Sequence, residues 1–224
     1  ATFDEARRRA DAGFTAIKFG WGPMGQDAAT DLALVAAARR GAGDQVDILV
    51  DAGQVWDWRT ALERARAFSQ QRVFWLEEPL QPDDLDGYAR LSAASPVPIA
   101  AGEAESRLED FEQLLSRGQV DWVQPDPGRC GISTMVEVGR LAHRLRRHVV
   151  NHSFKSGITM AASLHALAAC PHGELFEYCM SASPLRQELT VQAFPLADGW
   201  VQVPEEPGLG VTVDEAALAR FTLS

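Results

Sequence analysis

Short apolar runs alternate along the chain with longer segments that have helical periodicity. Runs such as DILVD (47–51) and VFWLE (73–77) predict strands that are buried on both faces. Segments such as DAATDLALVAAARR (27–40) carry Ala, Leu and Val at the spacing of one helix face. Strands that alternate with helices of about 10–15 residues predict a parallel sheet with right-handed crossovers, an α/β fold.

The repeating unit predicts seven strands and seven helices before the C-terminal tail. The first predicted strand is TAIKF (15–19) and the last is GELFEY (173–178). A TIM-type βα barrel closes with eight strands, so one strand is not accounted for. We assign residues 1–190 to the barrel, as strands 2 to 8, and residues 191–224 to a C-terminal segment with short strands and Gly/Pro turns.

Composition narrows the range of partners. The chain has 224 residues, of which 46% are hydrophobic and 23% charged, as in ordinary globular proteins. A net charge of −10 disfavours nucleic acid and anionic membrane surfaces as partners. No segment approaches the roughly 18 apolar residues of a membrane span. Cys130, Cys170 and Cys179 have no paired spacing, which predicts reduced thiols and a cytoplasmic location.

Acidic residues and one histidine recur near the ends of successive predicted strands, at intervals of 23 to 26 residues: Asp51, Glu77, Glu103, Asp126, His152 and Glu177. The carboxyl ends of parallel barrel strands meet at one face, where such enzymes carry out their chemistry. Several carboxylates directed at one point repel one another unless a cation lies among them. The spacing therefore predicts a metal-dependent enzyme.

Six segments in this order resemble the barrel domain of the enolase superfamily: LVDAGQVWD, WLEEPLQPDD, IAAGE, VQPDPGRCGI, VVNHS and LFEY. The mandelate racemase-like branch, which includes acid-sugar dehydratases, is the most similar. The resemblance extends from Lys18 to PGLGV (207–211) and implies an enzyme that acts on a small-molecule carboxylate. It also implies a homo-oligomer.

The resemblance implies that Asp51, Glu77 and Glu103 are the carboxylate ligands of a Mg²⁺ ion. Ligation by oxygen atoms alone suits that hard cation. Of the adjacent pair Glu77 and Glu78, Glu77 continues the alternation of side chains that point into the barrel mouth. We therefore expect Glu77 to be the ligand.

The resemblance also implies the groups that move protons. Asp126 and His152 match a dyad in which the carboxylate orients the imidazole, which removes the proton next to the substrate carboxylate. Glu177 matches the acid on the other side of the site, and Lys18 matches a lysine that binds the substrate carboxylate. Arg129 matches a basic position near the metal ligands less specifically. The other histidines, in predicted helices, a strand start or a turn, are expected to serve packing or to lie at the surface: His143, His148, His165 and His172.

Two departures from the family pattern bear on the reaction. Gly20 occupies the position of the second lysine of a Lys-x-Lys motif, so a base on the opposite face of the α-carbon is missing. Gly53 occupies the position of an asparagine in Asp-Ala-Asn, whose amide would orient the metal ligands. The side chain of Gln54 could take this role. Abstraction from a single face, followed by loss of hydroxide, favours a dehydratase that forms a 2-keto-3-deoxy acid through an enediolate.

Three interpretations stay open. The first is Mg²⁺-dependent dehydration of an acid sugar, and the second is racemisation or epimerisation of a carboxylate by the same enolisation. The third is an inactive barrel fragment, because the first barrel strand and the N-terminal α+β capping domain of the superfamily have no counterpart in this sequence. In that case the tail, Phe194 to Val213, is expected to expose apolar surface.

Overall fold

The computed structural model of the protein describes residues 1–173 and 175–222. Its helices are α1 Thr2–Asp11, α2 Ala28–Ala42, α3 Trp58–Ser69, α4 Leu85–Ala94, α5 Leu108–Ser116, α6 Pro127–Cys130, α7 Ile132–Arg144, α8 Gly157–Ala168, α9 Pro184–Glu188 and α10 Glu215–Phe221. Its strands are β1 Ala16–Gly20, β2 Asp47–Asp51, β3 Val73–Glu77, β4 Ile99–Ala101, β5 Trp122–Val123, β6 His148–Val149, β7 Leu196–Ala197 and β8 Trp200–Val201.

Strands β1 to β6 follow one another in chain order in a six-stranded sheet, whereas β7 and β8 form a separate antiparallel pair. The pairs from β1 to β4 are parallel. This arrangement confirms the predicted α/β fold and is consistent with part of a TIM-type barrel. Asp57, the N-cap of α3, accepts hydrogen bonds from the backbone N–H groups of Arg59 and Thr60.

The predicted last strand, GELFEY, differs from the structure. Glu174 lies outside the described residues, and residues 175–178 have no regular strand pairing. The backbone of Glu177 is bonded to the side chain of Asn151 in place of a neighbouring backbone. At Glu177, hydrogen bonds to a side chain therefore replace the backbone hydrogen bonds of a strand. The apolar pattern of the sequence does not indicate such a replacement.

The chain divides into two compact units. The first comprises Ala1–Gly102 and Gln113–Trp122, and the second comprises Glu103–Glu112 and the residues from Val123 onward. In the first unit the sheet residues Ile48, Val50 and Leu76 are completely buried, as is Val35 of α2. Apolar faces of strands and helices therefore form one core that supports the carboxyl ends of the strands.

A buried ion pair holds the loop after β1 in the first unit. Asp31 of α2 is inaccessible to solvent and accepts a hydrogen bond from Arg64 Nε of α3, at 2.9 Å. Its other oxygen accepts the backbone N–H of Gly25, at 2.7 Å. One carboxylate thus joins two helices to the loop that carries Trp21.

In the second unit the C-terminal segment packs on α8. Phe194 is buried against Met160, Ala161 and Leu164. Six further residues are partly buried against this cluster: Phe176, Tyr178, Val201, Val203, Leu209 and Val211. The expectation that this segment exposes its apolar residues is wrong for Phe194, because the segment turns back onto α8. Outside this cluster, Val191 and Trp200 are exposed.

None of the helices in the described residues combines the length and the apolar character that crossing a membrane requires.

Replacement of Asp31 by alanine is expected to lower the free energy of unfolding by about 3 kcal/mol, because Arg64 would keep its charge in a buried site without its buried partner. Urea denaturation measures this change as a shift of the midpoint. The matched control is Asp86→Ala, which breaks the exposed ion pair with Arg117. We expect that change to be less than about 1 kcal/mol. Equal effects of the two substitutions would contradict the role given to Asp31.

Candidate active site

Two carboxylates stand opposite each other at the carboxyl ends of adjacent strands. Asp51, the last residue of β2, is in register with Glu77, the last residue of β3. Asp51 is 8% exposed and Glu77 is completely buried. Parallel pairing without a shift at this end of the strands gives both side chains the same phase, so the predicted alternation holds at Glu77.

Neutral and cationic donors surround the two carboxylates. Lys18 Nζ donates a hydrogen bond to Oε1 of Glu77, and the indole N–H of Trp75 donates to Oε2, at 3.0 Å. The indole N–H of Trp21 donates to Oδ2 of Asp51, at 2.7 Å, and the backbone N–H of Gly53 donates to Oδ1, at 2.9 Å. Each carboxylate is therefore held by two donors in a defined orientation.

The electrostatic balance at Asp51 favours a bound cation. Burial raises the pKa of Asp51 above its usual value, and the negative charge of Glu77 raises it further. Lys18 and the hydrogen bonds from Trp21 and Gly53 act in the opposite direction without compensating. A divalent cation would remove this repulsion, so the donor set fits a metal with oxygen ligands.

Gly20 lies beside this pair, in register with Asp51. A Cβ atom built at Gly20 would lie 1.7 Å from the carbonyl oxygen of Asp51. Glycine is therefore required by the close approach of two backbones, and a lysine side chain does not fit at this position.

Glu78 differs from Glu77 in its partners. It has a positive φ of 38°. Its carboxylate accepts a hydrogen bond from Gln54 Nε2, at 2.6 Å. The amide of Gln54 is thus directed to Glu78, while the backbone of Gly53 is bonded to Asp51. The role suggested for Gln54, orientation of a ligand, falls to the backbone of Gly53 in this structure.

The second unit brings His152 together with two carboxylates. Nδ1 of His152 lies 3.0 Å from Oδ2 of Asp126, and Nε2 lies 3.2 Å from Oε2 of Glu103. His152 is 5% exposed and Asp126 is completely buried. Of the four residues predicted at strand ends in this unit, His152 therefore contacts two, Asp126 and Glu103.

Asp126 holds the imidazole of His152 in one orientation. Burial alone would raise its pKa, but hydrogen bonds from His152 and from the backbone N–H of Gly128, at 2.7 Å, lower the pKa below the usual value. An ionised carboxylate only accepts hydrogen bonds, so Nδ1 of His152 carries the proton. Nε2, the other ring nitrogen, is the atom beside Glu103.

Glu177 is half-buried, and its backbone is fixed by Asn151. The remaining residues considered in the sequence lie elsewhere. Arg129 is exposed in α6. His143 lies in α7 with its ring centroid 5.2 Å from that of His172, and His165 bonds to the carbonyl of Leu209.

Sequence reasoning missed three residues that hold the site: Trp21, Trp75 and Asn151. Trp75 shares the strand face of Glu77, two residues away, so period-two alternation could have identified it. Asn151 is a polar residue within an apolar run directly before His152, which is a weaker signal. Nothing in the sequence indicates that Trp21, which is 60% exposed, reaches back to Asp51.

Comparisons with known proteins agree on one family. A family model described as enolase C-terminal domain-like matches residues 1–217. D-galactarolactone cycloisomerase of Agrobacterium fabrum is 33% identical over 97% of this chain and 59% of its own length. L-talarate/galactarate dehydratase of Salmonella typhimurium is 35% identical over 84% of this chain and 46% of its own length.

A solved structure shows the same likeness in three dimensions. L-talarate dehydratase from Polaromonas sp. JS666, complexed with Mg and L-glucarate, superposes with a TM-score of 0.83 and 30% identity, over 95% of this chain and 56% of that one. The chain spans about half to three-fifths of the length of these relatives. The predicted superfamily is confirmed.

Replacement of Trp21 by phenylalanine is expected to weaken Mg²⁺ binding about ten-fold, because Asp51 would lose the donor that orients it. Calorimetric titration of the metal-free protein with Mg²⁺ measures the dissociation constant directly. The matched control is Trp58→Phe, since Trp58 stacks under Arg59 and touches neither carboxylate. An unchanged dissociation constant in Trp21→Phe would show that the indole does not support the ligand.

Proposed function

Because this chain belongs to the enolase C-terminal domain-like family, we propose that it catalyses Mg²⁺-dependent dehydration of an acid sugar, an aldonate or aldarate, to a 2-keto-3-deoxy acid. The observation that carries this proposal is a single, well-oriented base, His152 on Asp126, combined with a Gly20 position that admits no second base. Relatives named as dehydratases support the same reaction class.

We propose Asp51, Glu77 and Glu103 as the Mg²⁺ ligands, as the likeness to the family implies. Their donor atoms are all carboxylate oxygens, which is the chemistry that Mg²⁺ prefers. Asp51 and Glu77 are in register, and Glu103 directly follows Gly102, just beyond the end of β4. When bound, the ion would stabilise negative charge that develops on the substrate carboxylate.

His152 begins the reaction by taking the proton from the carbon next to the substrate carboxylate. The C–H bond breaks as its proton moves to Nε2, and its electron pair moves into the carboxylate. Asp126 keeps Nδ1 protonated and stabilises the imidazolium that forms. Lys18 supplies a positive charge for the carboxylate oxygens, and its present bond to Glu77 keeps its ammonium beside a proposed metal ligand.

Glu177 completes the elimination as the acid. The electron pair returns to form a double bond between the α- and β-carbons, and the β-hydroxyl leaves as water with the proton of Glu177. The enol that remains rearranges to the 2-keto acid. His152 and Glu177 thus have separate tasks, since only the second step needs Glu177.

Cycloisomerisation is a second candidate, favoured by the likeness to D-galactarolactone cycloisomerase. It would begin with the same abstraction by His152, but a ring oxygen would leave in place of a hydroxide. Racemisation is less well supported, because it needs a base on both faces of the α-carbon. The boundaries 1–190 and 191–224, a cytoplasmic location and a homo-oligomer stay predictions.

Proton NMR in D₂O tests the proposal directly. The protein is incubated with Mg²⁺ and a panel of aldonates and aldarates, together with aldarolactones for the second candidate. We expect one substrate to disappear with formation of a 2-keto-3-deoxy acid. Ring opening of a lactone would select the cycloisomerase, and the absence of any loss or exchange of the α-proton across the panel would show that the proposal is wrong.

Two substitutions are expected to separate the steps. His152→Gln should reduce α-proton exchange and elimination together, by about 10²–10⁴-fold, because it removes the base. Glu177→Gln should leave exchange in D₂O but reduce elimination by a similar factor, since it removes only the acid. Both rates come from the same NMR time course.

The matched control for the histidine is His143→Gln, which removes an exposed imidazole from α7 and should leave both rates unchanged. If Glu177→Gln lowered the exchange rate and the elimination rate by the same factor, the division of roles between His152 and Glu177 would be contradicted.

A further inference from the structure

Asn151 makes an unusual pair of hydrogen bonds with one residue. Its Oδ1 accepts the backbone N–H of Glu177, at 2.8 Å, and its Nδ2 donates to the carbonyl oxygen of the same residue, at 3.2 Å. Asn151 is completely buried. A primary amide has one accepting and one donating end, so this side chain matches both backbone groups of Glu177 at once.

The backbone on either side of Asn151 is hydrogen-bonded to another segment, residues 123–125. The N–H of Val150 donates to the carbonyl of Val123, and the N–H of His152 donates to that of Pro125, both at 3.1 Å. Residues 148–152 therefore run along residues 123–125 like a parallel strand. The side chain of Asn151 takes the place of the ladder bonds that a further strand, predicted at 173–178, would have made.

Two adjacent residues are thus connected to the two groups that move protons in the proposed reaction. His152 is the base, and Asn151, one residue earlier, fixes the backbone that carries the acid. One short segment, residues 150–152, therefore contains both the base and the residue bonded to the backbone of the acid.

We infer that Asn151 is a positioning residue: by clamping the backbone of Glu177, it sets where this acid stands relative to His152, and thereby promotes elimination over simple exchange of the α-proton. This inference rests on the proposed function.

A purely structural role for Asn151 makes a different prediction. A buried amide that only stabilises the fold would, when removed, lower exchange and elimination by the same factor, because less folded protein would be present. A positioning role affects the step that needs Glu177 and spares the step that needs only His152. The ratio of the two rates is independent of the amount of folded protein.

The test is Asn151→Leu, which keeps the approximate volume and removes both the donor and the acceptor. In D₂O with Mg²⁺ and the substrate identified above, we expect elimination to fall about 10–100-fold, less than the loss of about 10²–10⁴-fold expected when an acid–base group is removed outright. Exchange of the α-proton should change by less than about three-fold, since His152 and Asp126 are untouched. Equal losses of the two rates would overturn the inference.

Asn151→Asp serves as the second variant, in case the leucine variant does not fold. The aspartate retains an acceptor for the N–H of Glu177 and loses the donor to its carbonyl, so we expect the ratio of elimination to exchange to lie between those of wild type and Asn151→Leu. A ratio equal to that of wild type in both variants would also overturn the inference.

Tyr178→Phe is the matched control from the same segment. It removes the bond from the Tyr178 hydroxyl to the carbonyl of Phe194, at 2.7 Å, and leaves both bonds to Glu177 intact. We expect its ratio of elimination to exchange to equal that of the wild type. A fall as large as in Asn151→Leu would show that any loosening of the segment has this effect and would contradict a specific role for Asn151.

Hydrogen–deuterium exchange of the protein backbone distinguishes failure of the inference from failure of the proposed function. The amide of Glu177 should be protected in the wild type and in Tyr178→Phe, and should lose protection in Asn151→Leu. This readout needs no substrate. Loss of protection in a protein that turns over no acid sugar would refute the proposed function alone, whereas unchanged protection would refute the clamp by Asn151.

Discussion

The close pairing of Asp51 and Glu77 is the constraint on which the rest of the candidate site depends. The strand register places two buried carboxylates opposite each other, and burial together with their mutual repulsion disfavours ionisation of Asp51. The first unit answers with Lys18 and two indole N–H groups. Indole donors orient a carboxylate without adding charge, so among these three donors Lys18 alone adds positive charge to the pair.

Close packing of backbones beside this pair restricts the chemistry. Gly20 approaches the carbonyl of Asp51 so closely that no side chain fits there. The same register that aligns the carboxylates therefore excludes a base at this position. In the second unit a different solution serves His152, which is held by an ionised Asp126 and lies against Glu103. The proposed elimination needs one base only, because the proton is removed and not returned to the opposite face.

Several features could be predicted because they depend on local patterns. Apolar runs predicted β2 and β3 with their terminal carboxylates. The strand predicted at 173–178 is not formed in the described residues of this segment. There the backbone N–H of Glu177 bonds to the side chain of Asn151, not to the backbone of a neighbouring strand. The tail was expected to expose apolar residues, but Phe194 is buried on α8, a contact between segments far apart in sequence.

By itself, the sequence determined the order of strands and helices, the phase of the polar strand ends and the likeness to one superfamily, since periodicity and motif spacing are written along the chain. Only the tertiary structure decided which donors hold each carboxylate, why Gly20 admits no side chain, and how Asn151 reaches Glu177. These depend on distances of a few ångströms between segments separated by 20 to 60 residues, such as Lys18 and Glu77. Such distances arise from packing and register, which local sequence does not encode.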